Sequence, residues 1–428
     1  MDIKSYKPRV IDKLLIRKLR GKGAVLIEGA KWCGKTSTGE QQANSVIYMS
    51  DSIRRDQYRI FVDTDPKMVL DGETPRLIDE WQQTPKLWDM VRFEVDHRRS
   101  MGQFILTGSA VPAKLEELHH TGTGRIARLL MRPMSLWESG DSNGRVSLKD
   151  LFSAPSSIAA ENVNDLQRIA YLICRGGWPQ AALLDNDEEI ALDQAFDYFD
   201  AVVNSDIQRV DGTERSPERV KLLMKSYARS QGTQTSLAEI RNDMVVNDQA
   251  SLDEKTVNSY LDALRKIFVV EDMPAWNPNL RSKTAIRSAN TRYFVDPSIA
   301  TAALSIGPND LMNDLNTLGL LFETLCVRDL RVFAQVLDGS IYHYRDKTGL
   351  ECDTVVHLRN GDYGLIEIKI GGDKLIEEGA VNLKKLAEKI DTTRMKSPSF
   401  LMILTAVGAF SYRREDGVYV VPIGCLKD

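Results

Sequence analysis

The stretch Gly29-Ala30-Lys31-Trp32-Cys33-Gly34-Lys35-Thr36 decides the fold, because it fits the phosphate-loop pattern GxxxxGK[ST]. Phosphate oxygens crowd the backbone of such a loop, so glycines stand where a Cβ would obstruct them, and free amide groups attract the anion. The apolar run Ala24-Val25-Leu26-Ile27-Glu28 before it is typical of a buried strand, and a polar helix follows. This context predicts that residues 29–37, which end at Ser37, bind ATP, with Lys35 on the β and γ phosphates and Thr36 on Mg²⁺.

Strand-like and helical stretches alternate after the loop. The strand-like runs cover residues 45–49, 76–80 and 103–107, and helical stretches lie between them. Such alternation is typical of βαβ units, in which each helix returns the chain to the same edge of a sheet. The sequence therefore predicts an α/β fold with a parallel sheet.

Acidic and hydroxyl side chains stand where two of these runs end. Asp79 and Glu80 close the run 76–80, and Thr107 closes the run 103–107. We expect Asp79 to complete the Mg²⁺ shell, Glu80 to polarise the attacking water and Thr107 to sense the γ-phosphate. The alternatives are that the two acids begin a solvent-facing helix, where acids are favoured, and that Thr107 forms a turn at a strand end.

Several motifs together resemble a known family. They are GAKWCGKT, LIDEWQ and ILTGSA in the N-terminal part, and Gly176-Gly177-Trp178-Pro179, Phe294-Val295-Asp296 and Glu367-Ile368-Lys369 downstream. The resemblance is to the bacterial and archaeal AAA+-like ATPases that carry a C-terminal domain known only as DUF4143, and it covers nearly the whole chain. It implies ATP binding and no settled biological role.

The resemblance also implies a role for an arginine that follows a glycine-rich bend. Arg125 would act as a finger or sensor on the γ-phosphate, either in its own chain or toward a neighbouring subunit. The chemical reason is that a fixed guanidinium offsets the charge that develops in the transition state. The alternative is an arginine that faces solvent or DNA.

The composition of the whole chain excludes several classes of protein. Of 428 residues, 43% are hydrophobic and 27% are charged, which excludes wholesale disorder, collagen and a coiled-coil rod. The net charge is −4, so any DNA contact must come from a local patch. Five scattered cysteines argue against a disulfide framework or a zinc knuckle. The absence of a long apolar run predicts a cytoplasmic protein with no membrane partner.

Two short amphipathic helices followed by a strand resemble a winged helix-turn-helix. The first covers residues 236–240 and the second 251–267, with Thr256, Asn258 and Ser259 facing outward. Seven basic residues and three acids lie between Lys255 and Arg292, and this local excess could contact DNA phosphates. The alternative is a winged helix that serves as a protein-interaction or lid domain.

Four polar residues stand in otherwise apolar segments of the C-terminal part. Glu323 lies in an apolar helix, Asp353 heads an apolar strand, and Glu367 and Lys369 share one face of another strand. An acid followed by acid-x-Lys resembles the PD-(D/E)XK nuclease fold. In that case Glu323, Asp353 and Glu367 would bind a metal ion and Lys369 would assist the attacking water. The alternative is a Glu–Lys pair that faces solvent.

These patterns predict four consecutive segments. They are a P-loop AAA+-like parallel-sheet core (1–145), a helical segment (146–230), a winged helix (231–300) and a PD-(D/E)XK nuclease-like α/β domain (301–428). We expect an ATP-binding, Mg²⁺-dependent ATPase whose C-terminal half binds DNA or a protein partner, and an oligomer is compatible with the sequence. Two alternatives stay open: an ATP-gated metal-dependent nuclease, and a non-enzymatic nucleotide switch that binds a protein partner.

Overall fold

The structure is a computed structural model that describes residues 6–109, 121–184, 187–245, 253–278 and 289–428. The chain divides into two units that alternate along the sequence. Unit 1 comprises Met1–Pro133, Ala201–Arg215 and Tyr260–Val269, and unit 2 comprises Met134–Asp200, Ser216–Ser259 and Val270–Asp428. Each unit therefore consists of three separate stretches of the chain. The four consecutive segments expected from the sequence stay a prediction.

Unit 1 contains a parallel five-stranded sheet in the order β2-β3-β4-β1-β5. Its main elements are α1 (Val10–Gly21), β1 (Ala24–Glu28), α2 (Lys35–Glu40), β2 (Ser45–Tyr48), α3 (Arg55–Thr64), α4 (Lys67–Leu70), β3 (Arg76–Asp79), α5 (Lys86–Arg98), β4 (Phe104–Gly108) and β5 (Ile126–Leu130). The predicted α/β fold with a parallel sheet is confirmed. The edge strand β5 was not expected, because its charged residues broke the apolar run.

Continuous apolar strands form because this sheet is covered on both faces. Leu26, Ile78 and Leu106 pack in one hydrophobic cluster, whereas their neighbours Ile27 and Leu77 pack in another. Successive side chains of a strand point to opposite faces, so a sheet with two buried faces needs apolar residues at every position. This packing fixes the carboxyl ends of β1, β3 and β4 at one edge, where the phosphate loop begins.

The remaining part of the chain is mixed. Its elements are α6 (Leu136–Ser139), β6 (Val146–Ser147), α7 (Leu148–Leu151), β7 (Ala160–Glu161), α8 (Leu166–Arg175), α9 (Pro179–Leu183), α10 (Glu188–Ala201), α11 (Pro217–Arg229), α12 (Leu237–Val245), α13 (Glu254–Lys266), α14 (Pro297–Leu304), α15 (Pro308–Asn313), α16 (Leu315–Val336), β8 (Gly339–Arg345), β9 (Glu351–Leu358), β10 (Tyr363–Lys369), α17 (Asp373–Lys389), β11 (Phe400–Thr405), β12 (Phe410–Arg413), β13 (Tyr419–Pro422) and β14 (Leu426–Lys427). A π-helical turn, Val202–Asp206, follows α10. Among the described residues, no helix has both the length and the apolar character needed to cross a membrane.

Unit 2 contains a seven-stranded sheet in the order β7-β12-β13-β11-β10-β9-β8. Strands β8, β9 and β10 are antiparallel neighbours, and β11 runs parallel to β10 after the crossover helix α17. The buried face of α17 (Ile376, Ala380, Leu383) packs in one hydrophobic cluster with residues of this sheet, such as Leu365 and Ile403. The preceding helix α16 contacts β8, β9 and β10.

The segment predicted as a winged helix shows helices and isolated bridges. Helices α11 and α12 are in contact, and antiparallel bridges pair Val270 with Phe294 and Met273 with Thr291. The strands expected at 267–270 and 291–295 are therefore wrong as continuous strands. The physical reason is that Phe268 adopts a left-handed backbone conformation (φ +59°) directly after helix α13, which interrupts an extended run.

Candidate functional site

The phosphate loop joins β1 to α2 through a tightly constrained backbone. Gly29 has φ +153°, and a Cβ at this position would lie 2.0 Å from the Met131 carbonyl oxygen. Gly34 has φ +99° directly before the first residue of α2. Both positions therefore require glycine, the first for close backbone approach and the second for a left-handed turn. Trp32, between them, also has positive φ, and its side chain is exposed.

The ammonium group of Lys35 turns back into its own loop. Its Nζ donates a hydrogen bond to the Ala30 carbonyl oxygen at 2.7 Å, and the side chain is only 6% exposed. A buried ammonium needs acceptors, and the loop carbonyl provides one. The residue type, the cradle geometry and this single satisfied bond fit a group that would exchange the carbonyl for phosphate oxygens.

Three predicted side chains meet at the carboxyl edge of the sheet. Thr36 Oγ1 and Thr107 Oγ1 both donate to Asp79 Oδ1, at 2.6 Å and 2.7 Å. The register explains the meeting, because Thr107 pairs with Ile27 of β1 and its strand β4 lies between β1 and β3. A hydroxyl and a carboxylate are oxygen donors of the kind that Mg²⁺ prefers, so these residues fit the predicted ion.

Glu80 follows Asp79, the last residue of β3, in a left-handed backbone conformation (φ +55°). Its backbone N–H donates to Thr107 Oγ1 at 3.3 Å, and its carboxylate accepts from Gln82 Nε2 at 2.5 Å. Burial raises the pKa of Glu80, and the positive charge of Lys35 opposes that rise. The structure thus holds a partly buried carboxylate beside the Thr36–Asp79–Thr107 group, as a base for water would require.

The loop has one ionic contact that the sequence did not reveal. Lys31 Nζ donates to Asp206 Oδ1 of the π-helical turn, and the Asp206 side chain is only 7% exposed. The sequence alone gives no role to Asp206. The short polar triplet Asn204-Ser205-Asp206 between apolar residues was the available signal, but it did not indicate a partner.

Arg125 lies at the amino-terminal ends of the strands, whereas the phosphate loop lies at their carboxyl ends. It precedes β5 and accepts the backbone N–H of Ala24 at its carbonyl, at the start of β1, whereas the loop follows the end of β1. Its guanidinium donates to Asp96 at 2.8 Å, and its side chain is 47% exposed. Within its own chain Arg125 is therefore not brought to the other predicted site residues, and only a role toward a neighbouring subunit stays a prediction.

The C-terminal polar residues form a second cluster within unit 2. Lys369 Nζ lies 2.5 Å from Glu367 Oε2 and 3.3 Å from Asp353 Oδ2. The backbone N–H of Ile368 also donates to Asp353, at 2.7 Å, and the Tyr293 hydroxyl donates to Glu323. Helix α16 and strands β9 and β10 thus position the four residues, with Lys369 between two of the acids.

Burial and mutual repulsion perturb the acids of this cluster. Burial, reinforced by the charge of Asp353, raises the pKa of Glu323 to about 8. Burial and Asp353 likewise raise the pKa of Glu367, whereas Lys369 opposes the rise. Among the residues that the structure describes, no group of three or more His, Cys, Asp or Glu side chains is arranged to hold a metal ion. The metal-binding role of Glu323, Asp353 and Glu367 stays a prediction, and in the structure Lys369 and Tyr293 contact these acids.

The basic residues from Lys255 to Arg292, here called the basic strip, are largely paired with acids where the structure describes them. Arg265 pairs with Asp262 at 2.8 Å, and Arg292 pairs with Asp272 at 2.9 Å with only 11% of its side chain exposed. Lys266 lies 4.0 Å from Asp211. The predicted contributors Arg281, Lys283 and Arg287 lie outside the described residues. The described part of the strip thus offers less free positive charge to DNA than its composition indicated.

Comparison with known families divides the chain into three matched regions. An AAA domain matches residues 21–139, and a domain of unknown function, DUF4143, matches residues 318–426. Between them, a second domain of unknown function, DUF8612, matches residues 166–310. The first region contains the phosphate loop with Asp79 and Thr107, and the last contains the Glu323 cluster.

Relatives and solved structures with similarity to the chain are distant. Uncharacterized proteins of Mycobacterium tuberculosis and Mycobacterium bovis are each 23% identical over 358 residues, which cover 83% of this chain and 72% of the relative. A Walker-type ATPase of Pyrococcus abyssi has 15% sequence identity and a TM-score of 0.43, with 71% of this chain and 99% of that chain covered.

Proposed function

We propose that this chain, in which an AAA domain and a C-terminal DUF4143 domain are found, binds ATP with Mg²⁺ and hydrolyses it. The AAA domain supports an ATP-binding, ATPase-like function in general. The hydrolytic step and the roles of individual residues are our proposal. The observation that carries it is the convergence of Thr36 and Thr107 on Asp79 directly beside the phosphate loop.

Each residue of this group has a distinct role in the proposal. The loop amides and Lys35 bind the phosphates, and Thr36 and Asp79 would hold Mg²⁺, which when bound offsets charge on the phosphate oxygens. Glu80 orients the attacking water and accepts its proton, because its carboxylate lies next to Asp79. Thr107 keeps Asp79 and the Glu80 backbone in place through its two hydrogen bonds.

Calorimetric titration of the full chain with Mg²⁺ and ATP tests nucleotide binding. Lys35→Ala should weaken affinity by at least about tenfold, since charge-assisted hydrogen bonds to phosphate are lost. The matched control is Lys374→Ala, because that lysine is 89% exposed. A Lys35→Ala variant that melts normally and binds ATP as tightly as Lys374→Ala would remove the basis for the proposal.

A second candidate function concerns the cluster of Asp353, Glu367 and Lys369. Its support is that two antiparallel strands bring Asp353 Oδ2 within 3.3 Å and Glu367 Oε2 within 2.5 Å of the Lys369 ammonium group. We propose that this cluster contacts phosphodiester groups through a divalent cation, because its two carboxylates would otherwise repel them. A plasmid-nicking assay with Mg²⁺ separates an ATP-gated nuclease from a protein that only binds nucleic acid.

We further propose that the nucleotide state controls what the C-terminal half binds. The candidate partners are DNA, through the segment 231–300, and another protein. Copurification with and without ATP, followed by identification of bound protein and nucleic acid, distinguishes them. Very slow hydrolysis with tight, ATP-dependent binding of a protein would favour the non-enzymatic switch over the ATPase.

A further inference from the structure

Two lysines of the phosphate loop have different partners. Lys35 donates a hydrogen bond to the loop carbonyl of Ala30. Lys31, the third residue of the loop, instead pairs with Asp206, which belongs to the same unit but is 175 residues distant in sequence. The loop therefore carries a second ammonium group whose counter-charge comes from a separate segment.

The Asp206 carboxylate depends on this pairing. Only 7% of the Asp206 side chain is exposed, whereas 40% of the Lys31 side chain is exposed. A buried carboxylate without a cation is costly, so Lys31 stabilises the turn Val202–Asp206 as much as the turn restrains Lys31. This turn is π-helical, a rare conformation that is frequent at functional sites.

The Lys31 ammonium group belongs to the same part of the loop as that of Lys35. Lys35 Nζ lies 2.7 Å from the carbonyl oxygen of Ala30, the residue directly before Lys31. The Lys31 side chain is 40% exposed, so its ammonium group can exchange Asp206 for another anion. A terminal phosphate that binds Lys35 in place of the Ala30 carbonyl would therefore approach the residue that carries the second ammonium group.

We infer that Lys31 is a γ-phosphate ligand that Asp206 holds in reserve, and that ATP, but not ADP, draws it away from Asp206. This inference rests on the proposed ATP binding and adds a specific residue for discriminating the two nucleotides. It follows that ATP leaves Asp206 without its cation. The turn Val202–Asp206 then becomes the part of the chain that reports the nucleotide state.

Linkage makes this exchange measurable in both directions. Asp206 and the γ-phosphate compete for the same ammonium group, so removal of one competitor must strengthen the contact with the other. ADP has no γ-phosphate, so its affinity should not depend on either residue. The difference between two nucleotides, measured on one protein, therefore isolates Lys31 from general damage to the loop.

The test is calorimetry on the full chain with Mg²⁺ and either ADP or a non-hydrolysable ATP analogue. Lys31→Met should weaken binding of the analogue by about tenfold or more and that of ADP by less than about threefold, because one charged contact is lost. Lys31→Arg should restore the affinity for the analogue. Asp206→Asn should raise the affinity for the analogue relative to that for ADP. This gain in affinity should vanish in the double variant with Lys31→Met.

Three outcomes would overturn the inference. They are an equal loss for both nucleotides in Lys31→Met, no rescue by arginine, and an Asp206→Asn effect that persists without Lys31. If Asp206→Asn does not fold, the Lys31→Met and Lys31→Arg pair decides alone. A wild-type chain that binds neither nucleotide would refute ATP binding itself and this inference with it. Tight binding of both nucleotides that is unchanged in Lys31→Met would refute the inference only.

Discussion

The Thr107 hydroxyl donates a hydrogen bond to Asp79 at 2.7 Å, and Thr107 is fully buried. Asp79 ends β3, Thr107 is the penultimate residue of the neighbouring strand β4, and the backbone N–H of Glu80 donates to the same hydroxyl. One side chain thus fixes both acids that the ATPase proposal requires. This relationship makes Thr107 a positioning residue, whatever it contributes to sensing the γ-phosphate.

Replacement of Thr107 by valine keeps the shape of the side chain and removes its hydroxyl. We expect unfolding free energy to fall by about 1–3 kcal/mol, because Asp79 and the Glu80 amide each lose a buried partner. ATP turnover should fall with it, measured as phosphate release at saturating ATP.

The matched control for that variant is Thr405→Val. Thr405 is also fully buried in a strand, but its hydroxyl has no hydrogen-bond partner among the described residues. Valine there should be neutral or stabilising and should leave turnover unchanged. Equal turnover in Thr107→Val and Thr405→Val would show that the Thr107 contact does not serve catalysis.

Glu80→Gln should separate binding from hydrolysis. The amide cannot accept a proton, so turnover should fall by about 10²–10⁴ while ATP affinity is retained. Asp79→Asn should instead weaken the Mg²⁺-dependent part of ATP binding. Hydrolysis by Glu80→Gln at the unmutated rate would mean that another group acts as the base.

The pH dependence of turnover gives a further check on Glu80. A base acts only when deprotonated, and burial raises the pKa of this carboxyl above its usual range. The fall in kcat with decreasing pH should therefore occur at a higher pH than for an exposed glutamate, whose pKa is about 4.3. Full activity down to that pH would contradict the assignment.

Arg125 can contact the γ-phosphate only in a neighbouring subunit, because it lies at the amino-terminal ends of the strands of its own sheet and the phosphate loop lies at their carboxyl ends. If it does, specific activity should rise with protein concentration. A mixture of Arg125→Ala and Lys35→Ala should recover activity that neither has alone, since one supplies the loop and the other the arginine.

Asp96→Asn is the control for that mixture. It releases the Arg125 guanidinium from its ionic partner and leaves the arginine in place. Activity that is independent of concentration, with no recovery in the mixture, would leave Arg125 as a surface residue paired with Asp96.

The C-terminal cluster predicts a response to divalent cations. In an Asp79→Asn background, which disables the ion site at the phosphate loop, Mn²⁺ should raise the melting temperature of the full chain. Burial and the charge of Asp353 raise the pKa values of Glu323 and Glu367, and a cation would offset the repulsion among the three acids. Asp353→Asn, added to the same background, should remove the rise.

A melting temperature that ignores Mn²⁺ in that background would leave Lys369 as the permanent counter-charge of the cluster. In that case the cluster is a structural feature of the sheet. Metal binding without cleavage of plasmid, linear or single-stranded DNA would retain the site and exclude the nuclease.

The sequence was most informative where structure depends on local pattern. Apolar runs, glycines and the strand-end positions of Asp79 and Thr107 were enough to predict a parallel sheet and to place candidate residues at its edge. By contrast, the Lys31–Asp206 pair joins residues 175 positions apart, and no periodicity links them. The strands expected near 267–270 failed for a related reason, since a left-handed Phe268 overrode the local β-propensity.

The alternation of the two units along the chain determines how the protein can be dissected. A recombinant fragment with the AAA-domain bounds, 21–139, would retain the phosphate loop, Asp79 and Thr107, but it would lack residues 201–215 and 260–269 of the same unit. Lys31 would lose Asp206, and the apolar side chains of Ile207 and Leu264, both fully buried in the whole chain, would be missing. Enzyme assays on such a fragment would describe a protein with an altered loop. Deletion variants should therefore retain all three stretches of the unit that contains the loop.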